Sequence, residues 1–352
     1  MGILFLASAA TAQETPHVTI SGTVVDDSTS LPLFSVNVFL VNTTLGCSTD
    51  ENGKFVIRNI PLGTYEITAS ILGYEVAAQR TRIPAGGLRN LKIRLKPTSV
   101  QLGEVVVAAS DQREWRRNLE RFDDLFIGTT PDSRECTIMN PEVLDFTSKG
   151  PDDLEATARR PLEIDNQALG YHIEFLLKTF KVVNTVMTVE GMPRYTPLKP
   201  SSDGQEKEWK ENRLRAFKGS LRDFLIALYH RKLEENGFSI YLIGSLAPPY
   251  LASRQPVKED EILSDLPRAH EKNLRLAHYL EVEYNQNVEP GFNLLQRGGT
   301  TKQISWLSLN YYSVTITDNG LIDEQFPTRV YGYWAWKRMA DALPTDYEPE
   351  KN

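Results

Sequence analysis

Histidine and cysteine are scarce in this sequence. Five histidines and two cysteines are spread over 352 residues. A catalytic zinc site needs closely spaced His and Glu ligands, a third ligand and an open position. His17, His172, His230 and His270 stand apart, and only His278 and Glu281 form an H-x-x-E pair. No histidine follows to complete a zinc-hydrolase set. The stretch "LRLAHYLEVEY" around them reads as a strand, which sends positions 278 and 281 to opposite faces. The expectation is no metal and no cofactor. Cys47 and Cys136 would close a loop of about 90 residues, worth roughly 4–5 kcal/mol in the chain-entropy model. They fall in different predicted domains, which argues against a disulfide, and they are not a zinc pair.

Positive charge is also short. Lys and Arg total 39 against 46 Asp and Glu, for a net charge of −7. That balance lacks the basic footprint of a nucleic-acid binder. The first hundred residues carry eight Lys and Arg against seven acids, so the acidity sits beyond them. No stretch reaches the roughly 18 apolar residues that span a membrane as a helix. There is no G-x-S-x-G elbow. "RGGTTK" at Arg297 has the wrong spacing for a phosphate-binding loop. The acidic pairs Asp123-Asp124 and Asp152-Asp153 leave a glycosidase open, because such pairs are defined in space and not in sequence.

What is present begins at the N-terminus. "ILFLASAATAQ" is a short apolar run followed by Ala10-Thr11-Ala12, a small-residue cleavage pattern. The run lacks a positive flank, so residues 1–12 read as a signal peptide that is atypical or shortened at its start. The expected location is exported: periplasm, outer-membrane associated or cell surface.

From Val18 to Leu95, apolar residues alternate with polar ones in short runs. Turn signals separate the runs at Asp26-Asp27-Ser28, Asn42–Gly46, Gly73 and Pro84–Gly87. An all-β sandwich is predicted. Asp50, Asn52 and Gly53 open like a calcium loop, but the position six after Gly53 is Asn59, not the bidentate Glu such a loop requires. The alternation of Phe55 and Ile57 with Lys54 and Arg58 makes the stretch a turn into a strand, with Phe55, Ile57, Tyr65 and Ile67 as core.

The motifs "ISGTVVD", "STDENGKFVIRNIPLGTYEI" and "LGYE" resemble the carboxypeptidase regulatory-like domain. The matching positions are Gly22, Asp50, Gly53, Phe55, Ile57, Ile60, Gly63, Tyr65, Ile67, Gly73 and Tyr74. Phe34-Ser35 departs from the small residues common there. The resemblance implies a seven-stranded, transthyretin-like sandwich over residues 17–97 that is not itself catalytic. "SVQLGEVVVAAS" follows, within a linker or strand at 98–112. It resembles the segment that joins such a domain to the plug of TonB-dependent outer-membrane receptors, and Val105–Val107 read as a strand able to join a sheet edge. Too little chain follows for a receptor.

Residues 113–345 read as an α+β domain. "REWRRNLERFDDLF" places Trp115, Leu119, Phe122 and Phe126 on one helical face. Glu206–Glu235 reads as one long helix ending at Gly237. "FSIYLIG", "LAHYLEVEYN", "ISWLSL" and "YYSVTIT" read as strands. "NPEVLDF", "PLEIDNQALGY" and "YGYWAWKRMADALPTDYEP" resemble an uncharacterised domain that follows the same sandwich in exported Gram-negative proteins. A helix from Tyr333 to Leu343, ended by Pro344, is predicted to bury Trp336 and expose Trp334. Tyr331, Tyr333 and Trp334 are then the candidate binding residues, a platform for a sugar face or partner protein; the alternative is that Trp334 packs against the first domain or a loop. The function implied is a non-catalytic envelope protein whose sandwich is a spacer or docking module. Its second domain binds an envelope protein or glycan, with no nucleic acid and no transmembrane helix. The alternative is an envelope hydrolase, glycosidase or peptidase, with the sandwich as accessory.

Overall fold

The computed structural model describes residues 17–98, 109–184, 186–246, 254–285, 292, 302–310, 312–322 and 328–350. The signal-peptide segment, Val105–Val107 and the stretch at Arg297 lie outside them. The described chain divides into two units, one of residues 17–41 and 45–98, the other of 42–44 and 109–350.

The first unit is the predicted sandwich. Its seven strands are β1 (His17–Asp26), β2 (Asn37–Leu40), β3 (Gly46–Ser48), β4 (Lys54–Pro61), β5 (Gly63–Ser70), β6 (Ala77–Ile83) and β7 (Leu88–Leu95). One sheet runs β4-β1-β7 and the other β3-β2-β5-β6. β1 pairs antiparallel with β4 and parallel with β7. The period-2 pattern fills the interior with Ile20, Val24, Val38, Phe55, Ile57 and Ile67. Burial of these side chains drives the packing, at about 25 cal/mol per Å² of apolar surface.

Asp50 makes the turn that the calcium-like motif encodes. Its Oδ1 accepts the backbone N–H of Asn52 at 2.9 Å and of Lys54 at 2.8 Å. Gly53 has φ +68°, and a Cβ there would lie 2.5 Å from the Val24 carbonyl oxygen. Only glycine combines that backbone conformation with that approach.

The second unit holds two cores. The first is a sheet under one helix, α1 (Ala109–Phe126). Its strands are β8 (Cys136–Ile138), β9 (Leu144–Gly150), β10 (Asp153–Ala158), β11 (Leu162–Asn166), β12 (Tyr171–Val183) and β13 (Val186–Pro197). The long β12 pairs with β11 along its first half, β10 along its second, and β13 along its other edge. The α1 stripe is confirmed. The Phe122 ring lies 4.6 Å from Phe180 at a tilt of 57°, and Phe126 meets Phe175 edge-on at 5.0 Å.

The second core lies under α3 (Leu221–Tyr229), while α2 (Asp203–Phe217) packs on the first core, with Ala216 in it and Trp209 Nε1 donating to the Gln167 carbonyl at 2.6 Å. Here the prediction of one long helix is corrected. Gly219 takes φ +74°, and the Ser220 hydroxyl accepts the Asp223 N–H as a new N-cap. A left-handed residue followed by a cap ends one helix and starts the next. Gly237 therefore stops no helix; it is the last residue of the turn that leads into the next strand. The remaining strands are β14 (Phe238–Ile243), β15 (Gln255–Pro256), β16 (Leu263–Asp265), β17 (Glu271–Arg275), β18 (Tyr279–Tyr284), β19 (Gln303–Ser308), β20 (Ser313–Thr317) and β21 (Arg329–Gly332). They form the sheets β15-β14-β18-β19-β21 and β16-β17-β20.

Candidate functional site

A cleft of about 370 Å³ opens at the end of α1. The helix contributes Leu119, Asp123 and Asp124, β8 contributes Cys136 and Ile138, and a 3-10 turn before β8 contributes Arg134. Ligand pockets of this size combine apolar walls with a few polar groups. Asp123 is the informative one. Its Oδ1 is buried and has no hydrogen-bond partner among the described residues. Burial, and next the charge of Asp124, push its carboxyl up to about 6. The residue also stands in the last turn of α1, at the negative end of the helix dipole. The cleft thus holds a carboxylate in want of a donor. Cys136 lines the same wall. Burial foremost, then neighbouring carboxylates led by Asp341, push its thiol up to about 12. A thiol so held is a poor nucleophile. Cys136 is a free thiol and forms no disulfide with Cys47.

The H-x-x-E pair is separated, but not by strand period: the stretch read as one strand breaks between β17 and β18, and His278 lies in the bend. His278 is exposed just before β18, while Glu281 is 2% exposed within it. The Glu281 carboxylate accepts from Arg254 Nε at 2.6 Å and from Trp306 Nε1 at 2.9 Å. Glu283, two residues on and so on the same face, accepts from Arg254 at 2.6 Å and Lys302 at 2.8 Å. The Arg254 guanidinium also lies 3.4 Å above the Tyr241 ring. Two acids and two bases form a closed network on the outer face of the sheet. Among the described residues, no group of three His, Cys, Asp or Glu could hold a metal ion.

The aromatic platform is corrected. The helix expected from Tyr333 to Leu343 is one turn, Tyr333–Trp336, followed by extended Lys337 and a 3-10 turn at Met339–Asp341. The stripe of positions 336, 339, 340 and 343 therefore never forms on one helix. Instead Tyr333 is 2% and Trp334 7% exposed, and Trp336 is only half-buried. Trp334 donates its Nε1–H to the Gly219 carbonyl at 2.8 Å and lies 5.4 Å from Phe224. Of the three predicted residues, Tyr331 alone stays on the sheet, half-buried and 6.0 Å from Tyr279. Trp306 is its register partner, a neighbour that sequence reasoning missed. The alternation in "ISWLSL", which puts Ile304 and Trp306 on one side, is the signal that would have found it.

No curated protein matches the chain. Among solved structures, it is similar to a type II cohesin–X-dockerin complex from Acetivibrio cellulolyticus, at 22% identity over 29% of this chain and 73% of that one, with a TM-score of 0.22. It is similar to wild-type catechol 1,2-dioxygenase from Acinetobacter radioresistens, at 14% identity over 27% and 57% of the two chains, with a TM-score of 0.20. A DUF3823 family protein from Bacteroides ovatus is 12% identical over 53% of this chain and 83% of its own, with a TM-score of 0.20. Residues 20–107 match the CarboxypepD_reg-like domain, so the N-terminal sandwich is a domain of that family.

Proposed function

We propose that the chain is a non-catalytic, exported protein of the cell envelope. The sandwich is a spacer or docking module, and the α+β unit binds an envelope protein or glycan. One observation carries the reading. The Asp50 carboxylate, the sandwich's candidate cation ligand, is occupied by the backbone of its own turn, and the alternating side chains around it are core. The module offers a surface and no reaction centre. The apolar N-terminal run ending at Ala10-Thr11-Ala12 supports export. On the α+β unit, glycan contact falls to Tyr331, Tyr279 and Trp306 on the outer sheet face, because Tyr333 and Trp334 are core.

The test is cell fractionation of the full chain, with co-sedimentation on purified peptidoglycan sacculi and on outer-membrane protein extract. The expected result is an envelope location and capture on one of the two materials. A cytosolic chain overturns the reading.

A second reading, an envelope hydrolase, is favoured by Asp123, whose raised carboxyl has the affinity for protons that a general acid or base needs. Chromogenic glycosides and peptides distinguish the two. Turnover that disappears in Asp123→Asn, with the melting temperature unchanged, would establish the hydrolase and remove the first reading.

A further inference from the structure

The sandwich has an open seam. β6 is the edge of one sheet and β7 the edge of the other, and neither has a second partner among the described strands. The gap between them is about 200 Å³, and Ile67, Ala77, Leu91 and Ile93 line it. Gln79 stands opposite the buried Ile67 in register, yet it is exposed. An inward position that meets solvent marks the seam as open.

Charge around the seam has one sign. From Val76 to Pro97 the chain carries Arg80, Arg82, Arg89, Lys92, Arg94 and Lys96, with no Asp or Glu, in a protein of net charge −7. All six cations are exposed. The acids that reach them come from elsewhere: Glu66 opposite Arg80 across the strand pair, and Asp27 at 3.7 Å from Arg94. Cations on an edge strand prevent pairing with another copy, which would lay like charges together. The same charges favour an edge that carries the opposite sign.

Register defines the complement. Arg80 and Arg82 stand opposite Glu66 and Thr64, on the outer side of β6, while Gln79 and Thr81 stand opposite Ile67 and Tyr65, on the inner side. A strand added to β6 would alternate in the same way. One set of its side chains would flank the arginines, and the other would face Leu91 and Ile93. We propose that the free edge of β6 takes an extended partner segment of alternating acidic and apolar residues by strand addition, with its carboxylates beside Arg80 and Arg82 and its apolar side chains in the seam. This deepens the docking reading of the sandwich and rests on it.

The test uses the full chain and a fluorescent peptide of alternating Glu and Val, read by anisotropy. Two further probes carry N-methyl groups, one on every Val and one on every Glu. In a strand, one of these two sets of N–H groups must face β6, so strand addition requires that one methylated probe lose binding. The expected results are binding of the parent peptide, loss with one methylated probe, and weakening by about tenfold in Arg80→Glu/Arg82→Glu. That variant should instead bind a Lys-Val peptide. Several results overturn the proposal: equal binding of both methylated probes, which leaves only a charged surface; stronger binding of a sulfated polysaccharide or of phosphatidylglycerol vesicles; self-association through this edge in sedimentation velocity; or peptide binding only after Val105→Asp/Val107→Asp, which means the chain fills its own seam. A chain that reaches the envelope and captures material there, yet ignores every probe, loses this proposal and keeps the docking reading.

Discussion

His172 stands on β12 between two carboxylates, with Asp165 2.7 Å from Nδ1 and Glu163 2.8 Å from Nε2. Both acceptors are satisfied only by the doubly protonated ring. Desolvation pulls its pKa down, but the hydrogen bonds to Asp165 and Glu163 outweigh it, and the net shift is upward. A raised folded pKa stabilises the protonated form. The contribution is complete below the unfolded value, about 6.5, and disappears as pH rises through the folded value. Wild type should therefore exceed His172→Gln most in mildly acidic buffer, with the gap closing above neutrality. Melting curves across that range check it, and a gap independent of pH would contradict it. A second residue pair reverses the expectation of sequence. Trp334→Ala should cost about 3–5 kcal/mol, as for a large core truncation. Trp336→Ala should cost less, since its ring is only half-buried. Denaturant titration gives both values, and equal losses would refute the assignment.

Elements show which parts of the fold were legible. Five of the seven sandwich strands were, because their apolar residues alternate with polar ones and their turns carry their own chemistry, as at Asp50; β3 and β6, short or with little apolar alternation, came only with the family resemblance. The α1 stripe was legible for the same reason at helical period. The long helix was misread because Glu206–Glu235 holds its pattern across Gly219, and an isolated glycine costs a helix only about 1 kcal/mol. What decides the break is tertiary. A Cβ on Gly219 would meet the Tyr284 ring at 2.6 Å and Gln303 Oε1 at 2.7 Å, and its carbonyl receives Trp334. None of these partners is near in sequence. The Asp123 cleft was half legible. The acidic pair is visible, but burial of one oxygen depends on β8 and the turn before it. Gly219→Ala should destabilise by about 2–3 kcal/mol through strain and overpacking. Gly204→Ala, where the nearest atom is 3.7 Å from the added carbon, should be neutral or slightly stabilising. Chemical denaturation of the two variants separates them, and equal effects would show that the break is not tertiary.

At the scale of the whole molecule, the sandwich has a core of its own, and β7 ends at Leu95 while α1 begins at Ala109. Limited proteolysis between Pro97 and Trp115 should release a folded fragment of about the first hundred residues, as expected for a domain with its own core. Rapid degradation of that fragment would show that the sandwich does not stand alone. Its topology also sets an order in time. β1 is central in its sheet, yet one neighbour is β7, with Ile20 opposite Leu88 and Asp26 opposite Leu95. The antiparallel partner β4 arrives first as the chain emerges. The parallel partner is the last strand of the domain, and its capture closes the longest loop in the sandwich. Such non-local pairing is slow. During synthesis, β1 therefore waits with one bare edge until Leu95 has appeared, and the rate at which the module becomes a module is the rate at which its first strand finds its last.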